Sequence, residues 1–468
     1  MVVANMPMPR HEFDSAGIRS SIGEAASDRV VVRMRRMVNR ALQRIRLGES
    51  GRQTNGPPRT QDRCLAPREI PHNVRVLYAS CACSYRRFFQ TFTNYEEMPG
   101  QQVQKYHRLM AQGLAGNGAR VEMVTALPIS RSNSKRLLVA VRDDIAEGVQ
   151  YHYLPVINIP GIRNLVAALG SFAATSNRLM RDESAVVVCD ALNVSVATGA
   201  ILAAKLQRRV TVGIVTDIPT FLDPGKKSFR TRAVEQYMNR FDLYVLLTDE
   251  MSQRVNTRGA PYIVLEGQVD SNMAQRENQI DLKYPRKVCL YSGSIDKKYG
   301  VRALVQGFIA AGCSESELHI YGSGDFEDEL ATICANHESI KYFGTVANEQ
   351  VVTAQMSATL LVNPRPTSDE YTRYSFPSKN LEYMVSGTPL ATTRLPGMPG
   401  EYLPYVYILD DESAEGIASM LRTLLAMPAA ELHESGLAGR AYVLEHKSNL
   451  LQARRVLDMI DKRRSGLP

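Results

Sequence analysis

Four short segments in the second half of the chain carry glycines, three of them with serine, lysine or arginine, in ways that together could hold a phosphate-bearing ligand. Tyr291-Ser292-Gly293-Ser294-Ile295-Asp296-Lys297-Lys298-Tyr299-Gly300 follows an apolar run directly. Its glycines permit close backbone approach, and Lys298 and its neighbour can neutralise an anion. Tyr321-Gly322-Ser323-Gly324-Asp325 is a second glycine turn after a strand-like run, a pattern that tight turns also produce by themselves. Phe343-Gly344-Thr345-Val346 ends a third such run, where backbone groups could meet a flat base. The fourth segment runs from Asn363-Pro364-Arg365 through Tyr374-Ser375-Phe376-Pro377-Ser378-Lys379-Asn380-Leu381-Glu382 to Ser386-Gly387-Thr388-Pro389. Ser375 or Ser378 can cap a helix whose free N–H groups and dipole face an anion, and Pro377 suits its first turn. Glu382 falls about one turn further on, placed to accept hydrogen bonds from vicinal hydroxyls such as those of a ribose. Gly387 ends that helix. Taken singly, each residue has a solvated charge or a turn glycine as its simpler explanation; their order and company raise the group above any member.

These loops need a scaffold that aims strand ends at one place. From Val74 onward, short β-rich runs alternate with helical patterns. The first half has 74–78, 121–125, 151–155, 186–189, 211–215, 243–247 and 262–265; the second has 288–291, 318–321, 340–343, 359–362, 389–392 and 406–409. Nearly continuous apolar strands separated by helices predict parallel sheets covered on both faces. Two such sets predict two doubly wound α/β domains, in which ligands sit beyond the C-terminal strand ends. The expected division is 1–72 as a basic extension with linker, 73–270 and 271–446 as Rossmann-like domains, and 447–468 as a C-terminal helix packing back on the first domain.

The whole chain, 468 residues with a net charge of +8, is too long for one ordinary core. An anionic partner fits the charge: a phosphate-bearing substrate, a membrane surface or nucleic acid. Much of the excess sits between Arg29 and Leu47, where apolar residues follow a helix face and seven arginines stand without an acid. Such a helix can lie on an anionic membrane surface or dock on the protein's own body. No recognised nucleic-acid module appears, so no nucleic-acid partner is expected. No apolar run is long enough to span a bilayer, and no signal-peptide pattern opens the chain. Seven scattered cysteines, an odd number, suggest reduced thiols and a cytoplasmic protein, with peripheral attachment to the inner face of the plasma membrane as an option.

The segment from Ser375 to Lys379, followed by Glu382-Tyr383-Met384 and Gly387-Thr388-Pro389, resembles the retaining glycosyltransferases of family 4, which have the GT-B fold. It is similar in particular to the branch of bacterial exopolysaccharide and capsule synthesis. Thr216-Asp217-Ile218-Pro219, Leu247-Thr248-Asp249-Glu250-Met251 and Glu266-Gly267 look like that branch too, and the resemblance covers roughly residues 74–464. It implies a nucleoside diphosphate sugar as donor, a UDP-sugar before a GDP-sugar, with no other cofactor. By the resemblance Lys298 and Arg365, and Lys379 beside them, would touch the diphosphate, Glu382 would hold the ribose, and Gly322, Gly324 and Val346 would line the nucleotide. Tyr374, Ser375, Phe376 and Ser378 would complete the donor wall. Gly100, followed by Gln101, would open a helix near the donor phosphate. Two departures stand out. Ser294 replaces a common arginine, and Tyr374 stands where the first of the family's paired glutamates belongs, leaving nearby Glu370 to supply that contact.

Retaining transfer needs charge stabilised on the leaving diphosphate, which cations and helix N–H groups can do. The chain lacks an Asp-x-Asp motif, and no essential metal is expected. Asp217, in a loop after a first-half strand, is the side chain best placed to contact a glycan or lipid-linked acceptor. His107 reads as packing and Asp190 equally as a helix cap. Two other functions stay open: a GT-B epimerase or phosphorylase, and a non-catalytic partner subunit.

Overall fold

The computed structural model describes residues 74–93, 98–222 and 229–466. The arginine-rich stretch 29–47, the linker 50–73 and Cys64 lie outside the described residues.

The first lobe is built from Arg75–Ser80 (β1), Arg120–Ala126 (β2), Leu138–Val139 (β3), Asp144–Ala146 (β4), Val149–Leu154 (β5), Val156–Ile157 (β6), Val186–Asp190 (β7), Thr211–Val215 (β8), Leu243–Leu246 (β9) and Tyr262–Val264 (β10). Eight of these form one sheet in the order β10-β9-β8-β7-β1-β2-β5-β4, parallel throughout except that β4 runs against β5. The second lobe has Lys287–Ser292 (β11), Ser316–Tyr321 (β12), Ile340–Tyr342 (β13), Leu360–Asn363 (β14), Leu390–Thr393 (β15) and Tyr407–Leu409 (β16). They make a fully parallel sheet, β13-β12-β11-β14-β15-β16. Both orders reverse direction beside the first strand of the set, which opens a crevice at the carboxyl ends where loops can hold a ligand.

Every strand expected from the sequence forms, with ends shifted by at most two residues. The reason is visible in burial: Val186–Asp190 and Leu360–Asn363 are buried at every position, as strands covered by helices on both faces must be. Three short strands were not legible. β4 is only three residues long and joins β5 through a tight turn in which Glu147 and Gly148 both take positive φ; β3 and β6 are two-residue strands paired only with each other.

Helix Asn449–Arg464 buries Ala453, Val456, Leu457 and Ile460 in the core of the first lobe. The chain therefore crosses between lobes twice, and the two crossings are bonded to each other: Val269 N–H donates to Lys447 C=O at 2.9 Å and Asn449 N–H to Val269 C=O at 2.8 Å. At this seam the Lys447 ammonium, itself buried, meets buried Glu266 at 3.0 Å and the half-exposed Glu401 at 2.6 Å. Among the described residues no helix is long and apolar enough to cross a membrane, and the six cysteines there are free.

Candidate functional site

The second-lobe loops are locked together by backbone and by tyrosine. Gly293 N–H donates to Tyr321 C=O at 2.9 Å, Gly322 N–H to Gly344 C=O at 2.8 Å and Ile295 N–H to Ser323 C=O at 3.0 Å, which ties three of the four sequence segments into one surface. Gly322 has φ +125°, and a side chain there would lie 1.8 Å from Gly293 O. Gly324 is confined in the same way by Asp296. Both glycines thus serve the approach of one loop to another. Tyr383, on helix Ser378–Ser386, accepts a hydrogen bond from Ser292 N–H at 2.7 Å and donates to Ser292 C=O at 3.0 Å, so it fixes the fourth segment to the first. At the start of that helix Asn380 Oδ1 takes the amide of Asn363 at 2.7 Å.

Neither serine caps the helix. Pro377 is its N-cap residue and offers no side-chain bond, Ser378 is an exposed first-turn residue, and Ser375 Oγ is buried without a hydrogen-bond partner. This corrects the expected serine cap and moves Pro377 just outside the first turn. The consequence is that the helix's first N–H groups keep no side-chain partner and remain available to an acceptor. Gly387 ends the helix with φ +80°, as expected.

Lysine and arginine converge here among tyrosines. Lys379 Nζ donates to Tyr291 Oη at 2.7 Å and sits 4.4 Å from the Tyr291 ring centre and 5.6 Å from that of Tyr299. Burial pushes its pKa down to about 7, and the nearby Arg365 charge pushes the same way. Gly293, φ +142°, leaves the room it occupies: a Cβ there would lie 2.0 Å from Lys379 Cε. The Arg365 guanidinium lies between the Tyr299 and Tyr371 rings, 5.4 and 4.8 Å from their centres. Lys298 is exposed over Tyr299 at 5.0 Å. Among the described residues none of these three cations is ion-paired with an acid. Val346 packs half-buried against the second-lobe core, Phe376 is buried in that core, and Glu370 is exposed on the turn Glu370–Tyr374.

The first lobe faces this cluster. Asp217 lies close enough to Arg365 for the guanidinium to favour its charged form, yet burial dominates and raises its pKa to about 6, with the Asp190 charge adding to the rise. Gly100 is the N-cap of helix Gln101–Gly116, with open space where a Cβ would be. Gln101 beside it is half-buried. Lys105 of the same helix donates to Glu382 at 2.7 Å, both side chains about a third exposed, at 35% and 33%. The carboxylate expected on a ribose is therefore held from the opposite lobe. Tyr374 also reaches across: its ring stacks on Phe221 at 5.2 Å and 20°, and the Arg254 guanidinium lies 5.6 Å from its centre. Tyr374, which stands where the resemblance led us to expect a glutamate, is thus part of a lobe-to-lobe contact.

The first lobe also has a cavity of about 370 Å³, lined among others by Cys81, Asp190, Asn193, Ser195, Ile129, Ser130 and Arg163. Asp190 does not cap helix Val194–Leu206; it accepts from Leu192 N–H at 3.1 Å and lies 3.4 Å from buried His107, which in turn bonds Tyr78 Oη at 2.7 Å. Sequence reasoning missed Lys105, the tyrosine box and the buried role of Asp190. Tyr291 and Tyr299 flank the first glycine loop in the sequence, which was a usable signal; the reach of Lys105 across 277 positions had none.

Residues 286–427 match the family model described as Glycosyl transferases group 1. No curated protein is a sequence match to the chain. Among solved structures, sucrose-phosphate synthase from Thermosynechococcus elongatus is similar at 14% identity and a TM-score of 0.59, over 84% of this chain and 99% of its own. Anabaena HepE in complex with UDP is similar at 12% identity and 0.54, over 83% and 100%. The lipopolysaccharide outer core galactosyltransferase WaaB is similar at 14% and 0.52, over 83% and 99%. At such identities the likeness is one of fold. The chain has the GT-B architecture of two facing Rossmann-like lobes, and its second lobe carries a glycosyl transferases group 1 domain.

Proposed function

We propose that this chain is a retaining glycosyltransferase that moves a sugar from a nucleoside diphosphate sugar onto a glycan or lipid-linked acceptor in exopolysaccharide synthesis. The observation that carries the reading is the convergence of half-buried Lys379 and Arg365, neither ion-paired with an acid among the described residues, beside the uncapped helix Ser378–Ser386. A diphosphate supplies the counter-charge that these groups lack. Uridine is favoured over guanosine as the base because similar structures hold UDP and UDP-glucose.

In the transfer the anomeric C–O bond to the diphosphate breaks, and the acceptor oxygen bonds to the same face of the sugar. The acceptor proton passes to the departing phosphate oxygen, so no separate base is needed. Lys379, Arg365 and Lys298 stabilise the leaving charge, Asp217 orients the acceptor hydroxyl, and the cavity at Asp190 receives the acceptor. No metal is required in this scheme. Glu382 exchanges Lys105 for the ribose hydroxyls, and Glu370 is left to meet the donor sugar. The exopolysaccharide setting rests on the motif resemblance.

A thermal-shift screen against UDP-, GDP- and ADP-sugars tests the donor assignment, because stabilisation follows how far ligand exceeds its dissociation constant. The UDP-sugars should give the largest shift; no shift with any of them removes the reading. A second reading, a non-catalytic partner subunit, is favoured by the Tyr374–Phe221 contact. Slow hydrolysis of a bound UDP-sugar would exclude it, and binding without any turnover would support it.

A further inference from the structure

Around the mouth of the first-lobe cavity lies an apolar, acid-free face that the transferase chemistry does not use. Leu137, Leu138, Ile159, Ile162, Leu165 and Leu169 are all exposed, Leu138 at 64% and Leu165 at 60%. They belong to one surface. β3 pairs with β6, Asn158 N–H donates to Leu137 C=O at 2.7 Å, and Arg163 N–H donates to Ile159 C=O at 2.9 Å as helix Ile162–Leu179 begins. Ile162, Leu165 and Leu169 follow one another at helical spacing on its outer side, while Arg163, Asn164 and Ala167 of the same turns line the cavity.

The charge of this face has one sign. No acid occurs from Pro128 to Arg142 or from Pro155 to Arg181. Arg131, Lys135 and Arg136 are exposed and make no ion pair among the described residues. A contiguous apolar face rimmed by unpaired cations needs a covering that is apolar beneath and anionic at its edge. A water-exposed protein core does not show this combination, whereas the headgroup boundary of an anionic bilayer provides both halves at once.

We propose that this face docks the first lobe on an anionic lipid bilayer, with Leu137, Leu138, Ile162 and Leu165 entering the headgroup boundary and Arg131, Lys135 and Arg136 meeting lipid phosphates. The surface stands on its exposure and charge alone. Its use, to hold the cavity mouth where a lipid-anchored acceptor is presented, rests on the transferase reading above.

The test is sedimentation of the full chain with phosphatidylcholine vesicles, with and without phosphatidylglycerol. Two variants are compared with the parent: Leu138→Glu with Leu165→Glu, and Lys135→Gln with Arg136→Gln. Binding should require phosphatidylglycerol, and each variant should weaken it about tenfold or more. UDP-glucose affinity and melting temperature should stay unchanged, since all four side chains are exposed. Vesicle binding that is equal in parent and variants overturns the proposal, and so does a change of oligomeric state alone, which would mark the face as a contact between copies. If the variants lose vesicle binding in a chain that binds no nucleotide sugar, the surface stands and the transferase reading falls.

Discussion

In the proposed site, Lys379 and Asp217 are the two side chains whose surroundings most change their charge. The Asp217 carboxyl, pushed up to about 6 chiefly by burial, is ionised at neutral pH and becomes neutral as pH falls through that value. If its charged form orients the acceptor, kcat/KM should fall on the acid side of about pH 6. Asp217→Asn should lower kcat about 100-fold or more and remove that acid limb, with donor affinity nearly unchanged. Rate profiles of parent and variant between pH 5 and 8 check this, on the order of three units being enough to bracket one titration. For Lys379 the sign runs the other way. Its pKa falls from 10.5 to about 7 on folding, so between these values the unfolded chain binds more protons and this group's cost to stability is relieved as pH rises. Neither shift was legible in the sequence. Lys379 stood out there only as the last residue of the Ser-Phe-Pro-Ser-Lys run, because burial by Tyr291 and Tyr299 comes from a loop some eighty positions away.

Loops and helix starts were the most readable elements, since strand-loop-helix order is written in local composition. The four segments ended up bonded to one another as the parallel topology requires. What composition could not tell was what each glycine is for. Gly322 looked like a place for a ligand; its φ of +125° and the 1.8 Å approach to Gly293 O show that it serves the neighbouring loop. Gly322→Ala should therefore cost about 1–3 kcal/mol through backbone strain. Its denaturation midpoint should fall, and donor affinity should fall with it as Gly293 shifts against Lys379. A midpoint equal to the parent's would mean the two loops do not meet as described. Tyr383→Phe keeps the ring but loses three bonds to Ser292, at about 1 kcal/mol each, and should loosen the first glycine loop without unfolding the lobe.

At the scale of the whole molecule, the two lobes are joined by contacts that no local pattern announces. Lys447 and Glu266 are buried against each other at the double crossing, so Lys447→Met should strand a buried carboxylate and cost about 3 kcal/mol or more, measured by denaturant unfolding. Tyr374 joins the lobes at the other side of the cleft by stacking on Phe221. Tyr374→Phe should keep activity near the parent's, whereas Tyr374→Ala should lose the stacking, worth about 1 kcal/mol, and lower kcat with it; equal rates in both would show that lobe contact here is idle. The two-lobed fold was legible because apolar strands buried on both faces stand out from their surroundings; the closure of the lobes on each other was not, because Lys105 and Glu382 meet only in three dimensions. The central claim, a diphosphate held by half-buried Lys379 with Arg365, is tested most directly by calorimetric titration of UDP-glucose at pH 8 in buffers of different ionisation enthalpy, one unit or so above the lysine's depressed pKa. Binding accompanied by uptake of a proton, with both the uptake and most of the affinity lost in Lys379→Met, is the predicted result; binding of equal strength and no proton uptake in parent and variant would contradict it.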